Sequence, residues 1–83
     1  MKLLYFAWVR QKVGLAEETV TPPPEVRDVA GLMAWLATRS PGHADAFAHA
    51  AQIRAAVNQD FAPGSTPVAA NDEVAFFPPV TGG

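Results

Sequence analysis

Side chains that could perform catalysis or hold a metal ion are few in this sequence. His43 and His49 are too widely spaced to share a helix face, as metal ligands one turn apart would. The adjacent acidic pairs at 17–18 and 72–73 point to opposite sides of an extended chain, which favours a solubilising role over acid–base catalysis. Ser40 precedes a Pro-Gly turn and has no evident base. We therefore expect two surface histidines, no metal site and no side-chain nucleophile.

The composition excludes further classes of function. The chain has 83 residues and no cysteine, which excludes disulfides, thiolate-bound zinc, iron–sulfur clusters and a cysteine nucleophile. Its six Lys and Arg residues are scattered and its net charge is −2, so it lacks the basic stripe of a nucleic-acid-binding protein. The longest apolar run, 3–9, is far shorter than the ~20 residues of a membrane span, and no signal-peptide cleavage motif follows. We expect one cytoplasmic domain that binds no cofactor itself.

The C-terminus is the strongest candidate for chemistry. None of its last six side chains is charged, the last two residues have no Cβ, and two prolines stiffen its base. Six extended residues reach about 20 Å at ~3.3 Å each, far enough to place the terminal carboxylate inside another protein. A frayed end is the alternative, but it has no use for a Phe-Phe-Pro-Pro anchor. We predict a flexible threading tail made of Pro78, Pro79, Val80, Thr81, Gly82 and Gly83.

Aromatic residues near this tail exceed what a small core needs. If Tyr5 and Phe76 point inward, Phe6 and Phe77 lie on the same face of two adjacent strands. An exposed aromatic patch beside a threading tail is typical of a docking surface. Arg10, just after the first predicted strand, is a candidate to meet an acidic group of the partner. The predicted partner-binding residues are Phe6, Trp8, Arg10, Phe61 and Phe77.

The elements that must position these residues are a hairpin, a helix and further strands. The apolar run at 2–10 predicts a first strand, and 17–21 predicts its hairpin partner. Residues 28–40 are the best helix, with Asp28 as N-cap and apolar residues at positions 29, 32, 33 and 36. Residues 43–51 are Ala-rich and helical in composition. A third strand is expected at 53–58, a loop at 62–65 just after Phe61, and a last strand at 73–77.

The fold class follows from which strands are most apolar. The first and last strands are the natural central pair, and the helix between them in the chain supplies a parallel crossover. We therefore predict an α+β, β-grasp (ubiquitin-like) domain over residues 1–83, a mixed sheet with one main helix packed across it.

The sequence also resembles a known family. The segment Ala-Ala-Val-Asn-Gln at 55–59 and the ending Asp-Glu-Val-Ala-Phe-Phe-Pro-Pro-Val-Thr-Gly-Gly at 72–83 are similar to the MoaD family, the small sulfur-carrying subunits of molybdopterin synthase. The opening Phe-Ala-Trp-Val-Arg at 6–10, with Gly14, is similar to that family's first strand and turn. The resemblance spans the chain, and its specific motif is the ending.

This resemblance implies a sulfur-carrier function for the tail. An E1-like adenylyltransferase, using ATP and Mg²⁺, would activate the carboxylate of Gly83. Sulfur would then replace the adenylate to give a thiocarboxylate. The large subunit, expected to form a heterotetramer with this chain, would pass the sulfur to cyclic pyranopterin monophosphate. A sulfur carrier for thiamine or tRNA thiolation, a ubiquitin-like protein modifier and an inert interaction domain remain alternatives.

Overall fold

The computed structural model describes residues 1–79, and these residues form a mixed sheet covered on one face by helices. The strands are β1 (Lys2–Tyr5), β2 (Glu17–Thr19), β3 (Arg54–Val57), β4 (Asp60–Ala62) and β5 (Glu73–Phe77). The helices are α1 (Ala7–Val13), α2 (Val29–Leu36) and α3 (Pro41–Phe47), followed by a 3₁₀ turn at Ala50–Gln52.

The two most apolar strands lie at the centre of the sheet, as predicted. The strand order is β2-β1-β5-β3-β4, and β1 runs parallel to β5 while the other neighbours are antiparallel. Leu3 and Tyr5 pair in register with Val74 and Phe76, and all four are at most 2% exposed. A parallel central pair needs a crossover connection, and the helices between β1 and β5 supply it. The topology is that of a β-grasp fold.

Helix α2 begins where its sequence signal places it. The Asp28 side chain accepts a hydrogen bond from the Gly31 amide at 2.7 Å and so caps the helix. Val29, Leu32 and Leu36 are buried in the same apolar core as the inward side chains of the sheet. The helix ends at Leu36 rather than at residue 40, and α1 and α3 share the covering layer with it.

The predicted first strand is wrong beyond Tyr5, because residues 7–13 form helix α1. Val9 and Val13 are one helical turn apart and both are buried. Gly14, at φ 88°, ends the helix in the left-handed conformation that glycine adopts without steric cost. The chain from β1 to β2 is therefore a helical connection and not a hairpin turn, although the two strands do pair antiparallel.

Further boundaries differ from the prediction. The sequence predicts no strand at Phe61, just before the expected loop, but this residue lies in β4, which pairs with β3. Helix α3 spans Pro41–Phe47 rather than 43–51, and β3 spans Arg54–Val57 rather than 53–58. Strand β2 is shorter than predicted, ending at Thr19. The last strand has the predicted bounds, Glu73–Phe77.

Candidate functional site

The C-terminal tail leaves from the middle of the sheet. Strand β5 lies between β1 and β3, and it ends at Phe77. Pro78 is half-buried and Pro79 is exposed, and neither can donate a hydrogen bond to a ladder. The predicted tail residues Val80, Thr81, Gly82 and Gly83 lie outside the described residues.

Three of the predicted partner-binding residues surround this exit. Phe6 directly follows β1 and is 48% exposed, Phe61 is 80% exposed, and Phe77 is half-buried. The rings of Phe61 and Phe77 are 5.9 Å apart between centroids. The amide of Phe6 donates to the carbonyl of Phe76 at 3.1 Å, which fixes Phe6 beside the end of β5. We call Phe6, Phe61 and Phe77 the aromatic surface.

The centre of the outer sheet face is also apolar. Tyr5 and Phe76 point into the core, so their neighbours Leu4, Ala75 and Phe77 point away from it. A cavity of about 570 Å³ beside the aromatic surface is lined by Arg54, Ala55, Phe61, Ala62, Pro63 and Phe77. An uncovered apolar face of this kind is typical of an interaction surface.

A positive backbone angle sets the direction of Phe6. Ala7 has φ 53°, a conformation that costs a residue with a Cβ roughly 1–2 kcal/mol. This sharp turn joins extended Phe6 to helix α1, so that the Phe6 carbonyl accepts from the amides of Val9 and Arg10 at 3.1 and 3.3 Å. Arg10 is exposed one helical turn after Phe6.

Trp8 occupies a different environment from the one its predicted strand implies. A strand through residue 10 places Trp8 on the outward face; helix α1 instead packs it, half-buried, against the core. Its ring meets the ring of His49 edge-on at 6.1 Å between centroids. Trp8 thus lies apart from the aromatic surface.

The sequence reasoning missed a buried polar cluster on the other side of β1. His43, predicted to be on the surface, is 6% exposed. Its Nε2 lies 2.6 Å from a carboxylate oxygen of Glu18, and its Nδ1 lies 2.7 Å from the hydroxyl of Ser40. The hydroxyl of Tyr5 donates to the same Glu18 oxygen at 2.7 Å. Arg39 approaches the other oxygen at 3.7 Å. We call these five residues the polar cluster.

The cluster perturbs two of its members in opposite directions. Burial raises the pKa of Tyr5, and its bond to the Glu18 carboxylate raises it further. Burial alone would raise the pKa of Glu18, but hydrogen bonds from His43 and Tyr5 and the nearby positive charges lower it overall. The cluster therefore stabilises an ionised Glu18 against a neutral Tyr5.

The order serine, histidine, carboxylate invites comparison with a nucleophile and its base. The contacts indicate a structural role instead. The Ser40 oxygen accepts from the His43 amide at 3.1 Å and so caps helix α3. Within the described residues, no buried side-chain nitrogen or oxygen lacks a hydrogen-bond partner. The cluster joins α3 to β1 and β2, and each group in it is already satisfied.

No local sequence pattern predicts the polar cluster. Glu18 is 25 residues from His43 and 13 from Tyr5, and only the folded chain brings them together. Ser40 could have been predicted as an N-cap, because Pro41 follows it at the first helical position.

Residues 1–79 provide no metal-ligand cluster and no membrane-spanning helix. No group of three His, Asp or Glu side chains in that range is placed to hold a metal ion. Among the helices described, none has the length and apolar character needed to cross a membrane.

The comparisons with known proteins agree with the fold and with the family resemblance. The ThiS family model matches residues 3–83. The molybdopterin synthase sulfur carrier subunit of Escherichia coli (strain K12) is 40% identical, over 100% of this chain and 99% of that protein. The subunit of the same name from Mycobacterium tuberculosis (strain ATCC 25618 / H37Rv) is 38% identical, over 100% and 96%. The crystal structure of SAMP1 from Haloferax volcanii superposes with a TM-score of 0.74 at 25% identity, covering 100% of this chain and 98% of that one. This chain therefore belongs to the ThiS family, with curated relatives that are sulfur-carrier subunits of molybdopterin synthase.

Proposed function

We propose that this chain carries sulfur on its C-terminal carboxyl group as the small subunit of molybdopterin synthase. One observation carries the proposal. An uncharged tail ending in Gly-Gly follows the central strand β5, at the point where the aromatic surface is exposed. The relatives at 40% and 38% identity support the assignment of the synthase.

The chemistry requires no catalytic side chain of this protein. A free carboxylate is a poor electrophile, so the Gly83 carboxylate first attacks the α-phosphate of ATP in an E1-like enzyme that supplies Mg²⁺. Pyrophosphate leaves and an acyl-adenylate forms. A sulfur donor at the oxidation level of sulfide then displaces AMP, which leaves a thiocarboxylate on Gly83. This nucleophilic sulfur attacks cyclic pyranopterin monophosphate in the large subunit and forms a carbon–sulfur bond. Hydrolysis of the resulting thioester returns the Gly83 carboxylate and leaves the sulfur on the pterin, and a second loaded chain supplies the second sulfur of the dithiolene.

The described residues serve this chemistry by docking and by aiming the tail. The aromatic surface binds the large subunit, within a heterotetramer in the cytoplasm. Pro78 and Pro79 restrict the base of the tail, and Gly82 and Gly83 pass through a channel too narrow for a Cβ. This chain is the carrier, and the catalytic groups of the sulfurtransferase belong to its partner.

Intact-mass measurement tests the carrier role directly. We expect wild-type protein incubated with ATP, the activating enzyme and a sulfur source to exchange one oxygen for one sulfur. Deleting Gly83 withdraws the carboxylate by up to ~3.5 Å and should abolish the exchange. The thermal midpoint should stay unchanged, since the deletion is six residues beyond Phe77, the end of β5. Thiocarboxylate formation or molybdopterin synthesis at the wild-type rate by the shortened chain would refute the proposal.

The same samples separate the alternative carriers. A carrier for thiamine or tRNA thiolation would form the thiocarboxylate but would not yield molybdopterin with the large subunit. A protein modifier would instead appear joined to lysine side chains of other proteins through its terminal carbonyl.

A further inference from the structure

The positive charges of this chain divide into two groups. Three cations have a carboxylate partner: Lys2 with Glu17 at 4.0 Å, Lys12 with Asp45 at 3.1 Å and Arg39 with Glu18 at 3.7 Å. The other three are Arg10, Arg27 and Arg54, and none of them has a carboxylate within 4.0 Å among residues 1–79.

Arg54 lies beside the tail exit. It pairs in register with Phe77, the last residue of β5, and it lines the same cavity as Phe61 and Phe77. One guanidinium nitrogen donates to the carbonyl of Ala51 at 3.3 Å, which orients the side chain. Because a guanidinium has five N–H donors, the others remain available for a planar acceptor such as a carboxylate.

The acidic residues near β3 and β5 lie away from Arg54. Asp60 and Glu73 are at the end of the sheet opposite to the exit, since Asp60 pairs with Val57 and Glu73 pairs with Lys2. At the exit end, Glu17 pairs with Leu4 on the far side of β1 and contacts Lys2. Within the described residues, Arg54 therefore presents an unpaired positive charge beside the exit.

We propose that Arg54 forms an ion pair with a carboxylate at the rim of the large-subunit channel that receives the tail. This inference rests on the proposed function and names the chemistry of the partner's rim. A charge complementary to the rim accelerates encounter and fixes orientation, while the aromatic surface supplies apolar contact. Arg54 is thus a positioning residue that aligns the tail with the channel.

Binding kinetics with the purified cognate large subunit test the proposal. We expect Arg54→Glu to slow association about tenfold at ~0.01 M ionic strength, with a much smaller effect at ~0.15 M, because salt screens rim charges. Arg54→Lys should retain most of the wild-type rate, since it keeps the charge. The thermal midpoint of Arg54→Glu should match that of the wild type.

Arg27→Glu is the matched control. Arg27 is exposed and without a carboxylate partner in the described part of the chain, so the change in net charge is the same. Its carbonyl accepts from Val68, near Met1 and Val20 at the far end of β1. We expect Arg27→Glu to change the association rate by less than about twofold. Equal effects of the two variants would overturn the role of Arg54 and leave the carrier function standing. A wild-type chain that does not bind the large subunit would overturn both.

Discussion

The polar cluster and the aromatic surface lie on opposite sides of β1 and differ in how their side chains are satisfied. In the cluster, Glu18, Ser40 and His43 satisfy one another inside the protein. On the aromatic surface, Phe6 and Phe61 find no such cover and remain 48% and 80% exposed. A serine, a histidine and a carboxylate in contact are the residue types of a catalytic site, but the contacts in the first region indicate a structural role. The exposure of the second region supports the proposed docking role, because uncovered apolar groups are typical of interaction surfaces.

Tyr5 and Phe76 connect the polar cluster to the aromatic surface. Tyr5 belongs to the cluster through its hydroxyl, and it stacks on Phe76 with 6.1 Å between ring centroids. Phe6 and Phe77, which follow Tyr5 and Phe76 in the chain, belong to the aromatic surface. The cluster therefore helps to hold the strands that position this surface. A variant that tests docking must for that reason be tested for stability as well.

The largest effect is expected from placing a charge on the aromatic surface. Phe61→Asp should weaken binding to the large subunit by about 2 kcal/mol or more, roughly a 30-fold rise in Kd, because a central aromatic anchor is lost. Folding should be unaffected, since the side chain is 80% exposed. Isothermal titration calorimetry measures the first quantity and urea unfolding the second.

Ala34 provides the matched control for that experiment. It is exposed on helix α2, in the layer that covers the opposite face of the sheet. Ala34→Asp introduces the same charge away from the aromatic surface, and its Kd should stay within about twofold of the wild type. If both variants weakened binding alike, the aromatic surface would not be the docking site.

A smaller effect, on stability rather than binding, is expected in the polar cluster. Glu18→Ala removes the acceptor of both Tyr5 and His43 and leaves two buried polar groups unpaired, which should cost about 2 kcal/mol of unfolding free energy. Binding by the folded fraction should be unchanged. The neighbouring Glu17 has a side chain 61% exposed and only a 4.0 Å contact to Lys2. Glu17→Ala should therefore cost under about 0.5 kcal/mol, and equal losses would contradict the cluster's role.

The parts of the fold that could be predicted are those with a strong local signal. Strand β5 is bounded by a turn and two prolines, and Asp28 stands in the N-cap position of α2. Helix α1 could not be predicted in this way. Its residues follow β1 without a break in apolar character, and the turn between them uses Ala7 at φ 53°, where glycine would have been the recognisable signal.

The hairpin between β3 and β4 could not be predicted for a similar reason. Asn58 and Gln59 have φ values of 51° and 74°, the geometry of a tight hairpin turn. Such turns are recognised by their glycines, and this one has none, so the sequence does not indicate that Phe61 belongs to a strand. The aromatic surface was still predictable, because an excess of aromatic residues is visible in the composition. The cluster was not, because its partners lie far apart in the chain.

The pH dependence of stability gives a third contrast between the two regions. Glu18 has a pKa lowered from its ordinary value of 4.5. Its ionised form therefore stabilises the folded state above that pH, and the contribution is lost as the pH falls through the folded-state value. Urea midpoints of the wild type should decline between pH 5 and pH 3 more steeply than those of Glu18→Gln. Parallel curves would show that Glu18 does not supply this dependence, whereas Phe61→Asp should leave the wild-type decline unchanged below pH 5.

The smallest expected effect is that of Ser40→Ala, which tests whether the polar cluster takes part in catalysis. Ser40→Ala removes the cap of α3 and one partner of His43, which should cost about 1 kcal/mol of unfolding free energy. Since we propose the Gly83 carboxyl as the reacting group, thiocarboxylate formation and sulfur transfer should keep their wild-type rates. Ser65→Ala, at an exposed turn, controls for loss of a hydroxyl and should change neither quantity. A Ser40→Ala protein that folds normally yet transfers no sulfur would make Ser40 a catalytic nucleophile and reverse the assignment of the two regions.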